Sequence, residues 1–348
     1  MKTVSVVVIN FNGMADLQAC LDSLLEQDYE ALELVIIDNG SQDGSCEWLR
    51  AWAKEPEASD RFTRPPELIE NGRNAGFSPA LNQGIAVTTG DYVMPLNTDV
   101  VLEGGFVSRM VDAVEPEGVG SASGKLVRFP PREADGIIDT AGHVMFHNRL
   151  AVNLGEGKRS ASNFLEPAEV WGTCGAAAIY KREMLLDVAV DGECFDEDFF
   201  AFWEDLDLDW RARMRGWRCM FDPRALAWHR RGGTGYRKSV LVETHNLKNR
   251  YLMMIKNDSA RYLLRNLPGI IATELLKGGA LLVRCPAALL GLGDVVRLAP
   301  AMLAKRRVIQ SRRLVPAREI EMQFESFDYP GWIRRHLLNR GEMIVEEG

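Results

Sequence analysis

VSVVVINF, residues 4–11, is the feature that most narrows what this chain can fold into. Its side chains are almost all apolar and mostly branched at Cβ, a type that suits a pleated strand better than a helix. They do not alternate with polar residues, so the strand they form is covered on both faces. Such a strand belongs inside a parallel sheet, and the residues that follow supply the connection. ADLQACLDSLLEQ carries apolar residues at 17, 20, 21, 24 and 25, a helical stripe. LELVIIDNGSQDG is then a second buried strand ending in turn residues, and Asp43-Gly44-Ser45 opens the helix CEWLRAWA. A strand near LIE, a helix at SPALNQGIAV and the strand DYVMPLNTD continue the series. Repeated βαβ units predict an α/β fold, a Rossmann-like and mostly parallel sheet with helices on both faces.

Beyond residue 120 the pattern is mixed. GKLVRF, HVMF, AVNL and EVWGTCGAAAIY read as strands, MLLDVA as a short helix, and EDLDLDWRARMRG as a longer helix stopped at Gly216. RCMFDP and LAWHRR read as two further short strands, and from about 243 the chain reads as helical to its end. We therefore expect two regions, 1–242 and 243–348.

Composition excludes some functions. A formal charge of −8 on 348 residues speaks against general nucleic-acid binding, which needs basic surface. Six cysteines without a C-x-x-C pair read as reduced thiols of a cytoplasmic protein, and the first apolar run reads as a strand, not an export signal. Neither G-x-G-x-x-G nor G-x-x-x-x-G-K-[ST] occurs, which weakens dehydrogenase and P-loop readings.

In open sheets of this kind ligands bind beyond the carboxyl ends of the strands. Asp38 and Asp99 stand at two such ends. A carboxylate like Asp99 can reach a hard cation that bridges two phosphates, and a turn-forming Asp would look the same in sequence. His229 follows another apolar run and precedes a Gly-rich loop; beside Asp99 it would complete an N/O site suited to Mg²⁺ or Mn²⁺. FFAFWEDLDLDWRARMRGW sets Glu204, Asp205, Asp207 and Asp209 among large apolar side chains. On a helix Asp205 and Asp209 share a face, and Asp207 and Arg211 are spaced for an ion pair. A solvated helix face would give the same spacing, but the aromatic residues upstream should bury the helix start.

VSVVVINFNG, LELVIIDNGSQDGS, NAGFSPALNQGI, YVMPLNTDV, WGTCGAAAIYKREML, FDEDFFAFWEDLDLDWRARMRGW and AWHRRGGT occur in this order over residues 1–235. In this the chain resembles the family-2 inverting glycosyltransferases of the GT-A fold, particularly their rhamnosyltransferase-like branch. The resemblance implies a metal-dependent transfer of a sugar from a nucleotide-diphospho-sugar, dTDP-rhamnose or a UDP-sugar. The acceptor would be a hydroxyl of a glycan or lipid-linked glycan in bacterial surface polysaccharide synthesis. It implies that Asp38 accepts a hydrogen bond from the donor's pyrimidine base and that Asn74, Gly76, Asn82 and Asn97 shape the donor pocket. Asp99 and His229 would hold the divalent metal, Mg²⁺ or Mn²⁺, and Asp205 would be the general base. Asn97 stands where the family pattern has a first Asp. Two rivals remain: a sugar nucleotidyltransferase, which would want a Gly-rich phosphate loop, and a non-catalytic nucleotide- or carbohydrate-binding scaffold.

Residues 256–318 hold twelve Lys/Arg against three acids, a local +9 that leaves −17 elsewhere. The apolar segments here are broken by charges, and the longest charge-free stretch is nine residues (285–293), well below the ~20 that span a bilayer. Apolar helix faces flanked by Lys/Arg suit a helix lying in a membrane interface, so peripheral contact with the inner face of the cytoplasmic membrane is expected. A helical subdomain packed on the first region, or a dimer surface, would use the same residues.

Overall fold

The computed structural model describes residues 1–129, 136–231 and 239–333. Twelve strands are found there: β1 (Val4–Asn10), β2 (Leu32–Asp38), β3 (Glu67–Glu70), β4 (Tyr92–Asn97), β5 (Val100–Leu102), β6 (Val119–Arg128), β7 (Ile138–Thr140), β8 (His143–Met145), β9 (Ala151–Asn153), β10 (Ala168–Val170), β11 (Ala178–Lys181) and β12 (Arg218–His229). The helices of the first part are α1 (Met14–Leu25), α2 (Ser45–Trp52), α3 (Pro56–Arg61), α4 (Phe77–Val87), α5 (Phe106–Val114), α6 (Arg182–Val188) and α7 (Glu204–Arg215). Then follow α8 (Val240–Asn257), α9 (Ala260–Arg284), α10 (Gly291–Ser311), α11 (Ala317–Glu321) and α12 (Tyr329–Ile333). The Gly-rich loop read after His229 and the last residues of the helical tail fall at 232–238 and 334–348, outside the described residues.

The main sheet runs β10-β12-β6-β11-β4-β1-β2-β3, with β5 on β12 and β7 on β6. β3, β2, β1, β4, β6 and β12 all point the same way, and antiparallel β11 is inserted between β4 and β6. This is the mixed, mostly parallel sheet expected. Register decides what gathers at the carboxyl edge. Asn10 lies opposite Asp38, Ile9 opposite Asn97, and His229 opposite Val100, so Asn10, Asp38, Asn97, Asp99 and His229 share one rim.

Both faces are covered. Val4, Val6 and Val8 of β1 pack with α1, α2 and α5, whereas Val7 packs with α4, α6 and α7. The sequence at RCMFDP and LAWHRR forms one bent strand, not two. The register of β12 on β6 jumps from Asp222–Gly124 to Leu226–Lys125, and Pro223 within the jump lacks the N–H a ladder needs. EVWGTCGAAAIY is, conversely, interrupted: β10 ends at Val170 and β11 starts at Ala178. Gly172, inside the interruption, leaves room for α7: a Cβ there would fall 1.8 Å from an Asp209 carboxylate oxygen.

α7 has two packed faces. Leu208 and Ala212 join the core under the sheet, while Leu206, Trp210 and Met214 join a second core with Leu252, Met253, Met302, Ile309 and Phe324. α8, α10 and the 320s therefore cover the helix that carries the four acids. The boundary expected at 242 falls inside α8. Among the described residues, Pro286–Ser311 is long and apolar enough to qualify by length and composition as a membrane-crossing helix. Its second half is tied to the rest of the chain: Lys305 Nζ meets Asp196 at 2.6 Å and Asp198 at 2.9 Å, and Gln310 donates to the Asn257 carbonyl. All six cysteines are free thiols.

Candidate active site

Asp38 closes β2, and its carboxylate is already much used. Oδ1 accepts from the Asn10 amide at 2.8 Å, and Oδ2 accepts from the Gly40 and Ser41 N–H groups at 3.2 and 3.1 Å. A carboxylate offers about four acceptor sites, and three of those on buried Asp38 are taken. Asn10 also donates to Ser41 and Ser45, which stitches the β1–α1 and β2–α2 loops together. Asn74 acts on the loop before α4: its side-chain oxygen accepts from Asn39 at 3.0 Å and from the Gly76 N–H at 2.9 Å. Gly76 sits at φ 101°, and a Cβ there would lie 2.6 Å from the Phe200 ring. Asn82 looks elsewhere. Its amide donates to the Phe195 carbonyl and accepts from the Phe195 N–H, pinning α4 to the 195–203 segment.

Asn97 ends β4, its N–H donating to the Ala176 carbonyl at 2.9 Å. Two residues on, Asp99 Oδ1 stands 3.4 Å from His229 Nε2. The other nitrogen of that ring, Nδ1, lies 2.8 Å from Asp139 Oδ2, and Arg231 Nε lies 2.6 Å from Asp139 Oδ1. Burial opposes a charge on His229, but the hydrogen bonds and charges of Asp139 and Asp99 outweigh it and push the imidazole up to about 10. The residues fit a hard divalent cation: Asp99 would supply oxygen, and Asp139 orients His229 so that Nε2, on giving up its proton to an incoming ion, faces the same place, the usual support of a metal-ligating histidine.

The same arrangement recurs at the acidic helix. Asp205 Oδ2 accepts from the Gly175 N–H at 3.0 Å, and Oδ1 accepts from Leu206 N–H at 2.8 Å. Its Oδ2 stands 3.7 Å from His143 Nε2, and His143 Nδ1 lies 3.3 Å from buried Asp209. Burial again disfavours the charged ring, yet the carboxylates of Asp205 and Asp209 hold His143 well above its ordinary value. Burial pushes Asp209 up to about 6. Gly175 adjoins Ala176, which pairs with Asn97, so Asp205 reaches the same rim as the Asp99–His229 pair. Sequence reasoning did not single out Asp139, His143 or Cys174, nor a role for Asp209. Each acquires meaning only through a partner tens of residues away, and nothing local marks them.

The other acids of α7 have separate tasks. Asp207 is fully buried and receives Arg211, Lys256 and Asn257 at 2.9, 2.8 and 2.7 Å. Glu204 is 6% exposed with Oε2 unpaired; burial and the neighbouring Asp205 push it up to about 8.

The approach to Glu204 is strained. Phe200, Phe202 and Trp203 adopt φ of 68°, 69° and 70°, a region aromatic residues rarely enter. α8 holds them there. Asn249 Nδ2 lies 3.0, 2.8 and 2.7 Å from the carbonyl oxygens of Phe199, Ala201 and Phe202, and the Trp203 indole donates to Asn246 at 3.0 Å. The turn so made aims the Phe200 carbonyl at the start of α4, where the N–H groups of Phe77 and Ser78 donate to it.

A family model described as glycosyl transferase family 2 matches residues 5–188, which include Asp38, Asn97 and Asp99 and stop before Asp205 and His229. Poly-beta-1,6-N-acetyl-D-glucosamine synthase of Staphylococcus aureus (strain COL) is 25% identical over 219 residues, 63% of this chain and 47% of that protein. The chain thus spans about half the length of the curated relatives it first matches. Among solved structures it is similar to mannosyltransferase PcManGT from Pyrobaculum calidifontis in complex with GDP-Man and Mn²⁺, with TM-score 0.52, 21% identity and coverage of 92% and 84% of the two chains. It is also similar to S. aureus TarS 1–349 in complex with UDP-GlcNAc, with TM-score 0.53, 14% identity and coverage of 89% and 90%. Both likenesses speak for the fold, that of the GT-A glycosyltransferases.

Proposed function

The chain belongs to glycosyl transferase family 2, and from that premise we propose that it is a metal-dependent inverting glycosyltransferase acting on a pyrimidine nucleotide-diphospho-sugar. The donor is a UDP-sugar or dTDP-rhamnose, and the acceptor is a hydroxyl of a glycan or lipid-linked glycan of a bacterial surface polysaccharide. The observation that carries this reading is the pair of buried histidines: each is backed by a buried carboxylate and turned toward a functional one, at the same rim of the sheet.

The roles follow from the contacts. The acceptor site left on Asp38 takes an N–H of the base. Gly76, without a side chain, lets the α4 loop close against Phe200, and the loop so placed borders the donor pocket together with Asn97. Asp99 and His229 would hold Mg²⁺ or Mn²⁺, which when bound offsets the charge developing on the departing diphosphate. Asp205 takes the proton of the acceptor hydroxyl at the moment of attack. Its carboxylate is oriented by two backbone N–H groups and keeps acceptor capacity beyond them. Attack from the face opposite the leaving group inverts the anomeric carbon.

The C-terminal helices are the part we assign to a membrane surface. Leu264, Leu267, Ile271, Leu275 and Leu282 recur at helical spacing on α9, and all are exposed. Leu292, Val296 and Leu303 do the same on α10, and Arg261, Arg265, Arg284, Arg297 and Arg307 stand exposed around them. An apolar stripe ringed by guanidinium groups matches an anionic leaflet, and the docking of Lys305 and Gln310 favours α10 lying along it. The enzyme would work at the cytoplasmic side.

The test is a panel of nucleotide sugars with Mn²⁺ or Mg²⁺, read by thermal stabilisation and by sugar transfer. Asp205→Asn should keep nucleotide binding and lose turnover, and Asp99→Asn should lose the part of the stabilisation that needs metal. If no nucleotide raises the Tm with metal present, or Asp205→Asn turns over normally, the assignment is wrong.

A further inference from the structure

Cys174 has no task in the mechanism above, yet it stands at its centre. His143, Cys174 and Asp205 each present one ligand atom such that all three lie within 4.8 Å of one another. We propose that these three residues form a second metal site, specific for a soft divalent ion of the zinc type, and that filling it switches the transferase off.

The donor set argues for the metal. Thiolate and imidazole select zinc over the manganese or magnesium that suit Asp99 and its surroundings. His143 is prepared as a ligand: Asp209 Oδ2 lies 3.3 Å from Nδ1, leaving Nε2 on the side of Asp205. That carboxylate–histidine–metal arrangement fixes ring orientation and raises ligand basicity. Asp209 is itself held, accepting from the Thr173 N–H at 3.1 Å, and Thr173 is the neighbour of Cys174. Zinc–ligand bonds of about 2.0–2.3 Å place tetrahedral ligand atoms roughly 3.3–3.8 Å apart; His143 Nε2 and Asp205 Oδ2, 3.7 Å apart, already meet this, and the third atom, within 4.8 Å of both, needs to draw in by at most about an ångström. Cys174 and Asp205 are only half-buried, which gives the ion a way in and leaves a fourth position for water. On binding, the thiol releases its proton to solvent, and a ring charged at both nitrogens releases the one on Nε2, the ion taking the place of each.

The consequence rests on the function proposed above. An ion on Asp205 occupies the lone pair that would receive the acceptor's proton, so the bound enzyme keeps its donor site and loses its base.

Cobalt(II) is the probe, added to the full chain after chelator treatment. The wild type should bind one ion that a thiolate-to-cobalt charge-transfer band reports, with the visible bands of a four-coordinate site. Cys174→Ser should abolish the charge-transfer band, His143→Asn should weaken binding by about tenfold or more, and Asp99→Asn should keep the band. Absence of the band in the wild type, or its persistence in Cys174→Ser, overturns the site. Zinc titrated into a Mn²⁺-supported transfer assay should inhibit the wild type, and Cys174→Ser should need at least about tenfold more zinc. A cobalt band that obeys these rules without zinc inhibition overturns the link to Asp205. A chain that transfers no sugar at all would sink the transferase reading, while the cobalt result would still decide the site.

Discussion

Asn249→Ala tests whether α8 is part of the machinery that places Asp205. The Asn249 amide has two hydrogens and three carbonyl oxygens within 3.0 Å, those of Phe199, Ala201 and Phe202. That amounts to about two full hydrogen bonds, and losing the donor to a buried acceptor costs about 1–3 kcal/mol each. Phe200, Phe202 and Trp203 hold backbone strain of about 1–3 kcal/mol apiece. Once released, the turn relaxes and recovers part of the loss, so the net cost should be about 2–4 kcal/mol. Relaxation moves the turn, however, and the turn leads directly into Glu204 and Asp205. A misplacement of about 1 Å at a catalytic group can cost about 10²-fold in rate. We expect urea unfolding to show the stability loss and transfer kinetics to show a fall in kcat larger than in KM. Asn249→Leu, similar in size but without the N–H donors, should resemble Ala. Stability within about 0.5 kcal/mol of wild type together with unchanged kcat would refute the reasoning.

Two further outcomes are expected. Glu204 is raised to about 8 in the fold, so its contribution is favourable at low pH and is lost as pH rises from its ordinary value through 8. Glu204→Gln should therefore match wild type near pH 5 and exceed it by roughly 1–3 kcal/mol near pH 8, measured by chemical unfolding at the two pH values; equal stability at both would count against a buried, unpaired carboxyl. Leu275→Glu with Leu282→Glu should abolish flotation with vesicles rich in anionic lipid while leaving the melting temperature unchanged, since both side chains are exposed; flotation of the double variant like wild type would remove the membrane assignment.

The parallel heart of the fold was readable because its signals are local. An unbroken branched apolar run at 4–11 and a stripe at 17, 20, 21, 24 and 25 each point to one element and to its burial. The Asp207–Arg211 pair was legible for the same reason, being four residues apart on one helix. Where the reading erred, Pro223 bent a strand that was read as two, and a strand that was read as whole is interrupted where Gly172 and the Thr173 N–H meet the Asp209 carboxylate. The acids of α7 were hardest. Their neighbours suggested burial, but only α8 reveals what sustains it, because Lys256 and Asn257 reach Asp207 from fifty residues downstream. His143 and Asp139 lay in an ordinary strand sequence, and their partners at 209 and 229 are fixed by topology alone.

Asp139 and His143 are four residues apart on the run through β7 and β8, and one backs His229 while the other faces Asp205. An extended chain advances at most about 3.3–3.6 Å per residue, so their Cα atoms can never be farther apart than about 14 Å. This short span is a built-in ruler. It bounds the distance between the His229–Asp99 pair, which Asp139 backs, and the His143–Asp205 pair; on the function proposed above, lengthening it by a single residue should misplace one carboxylate against the other.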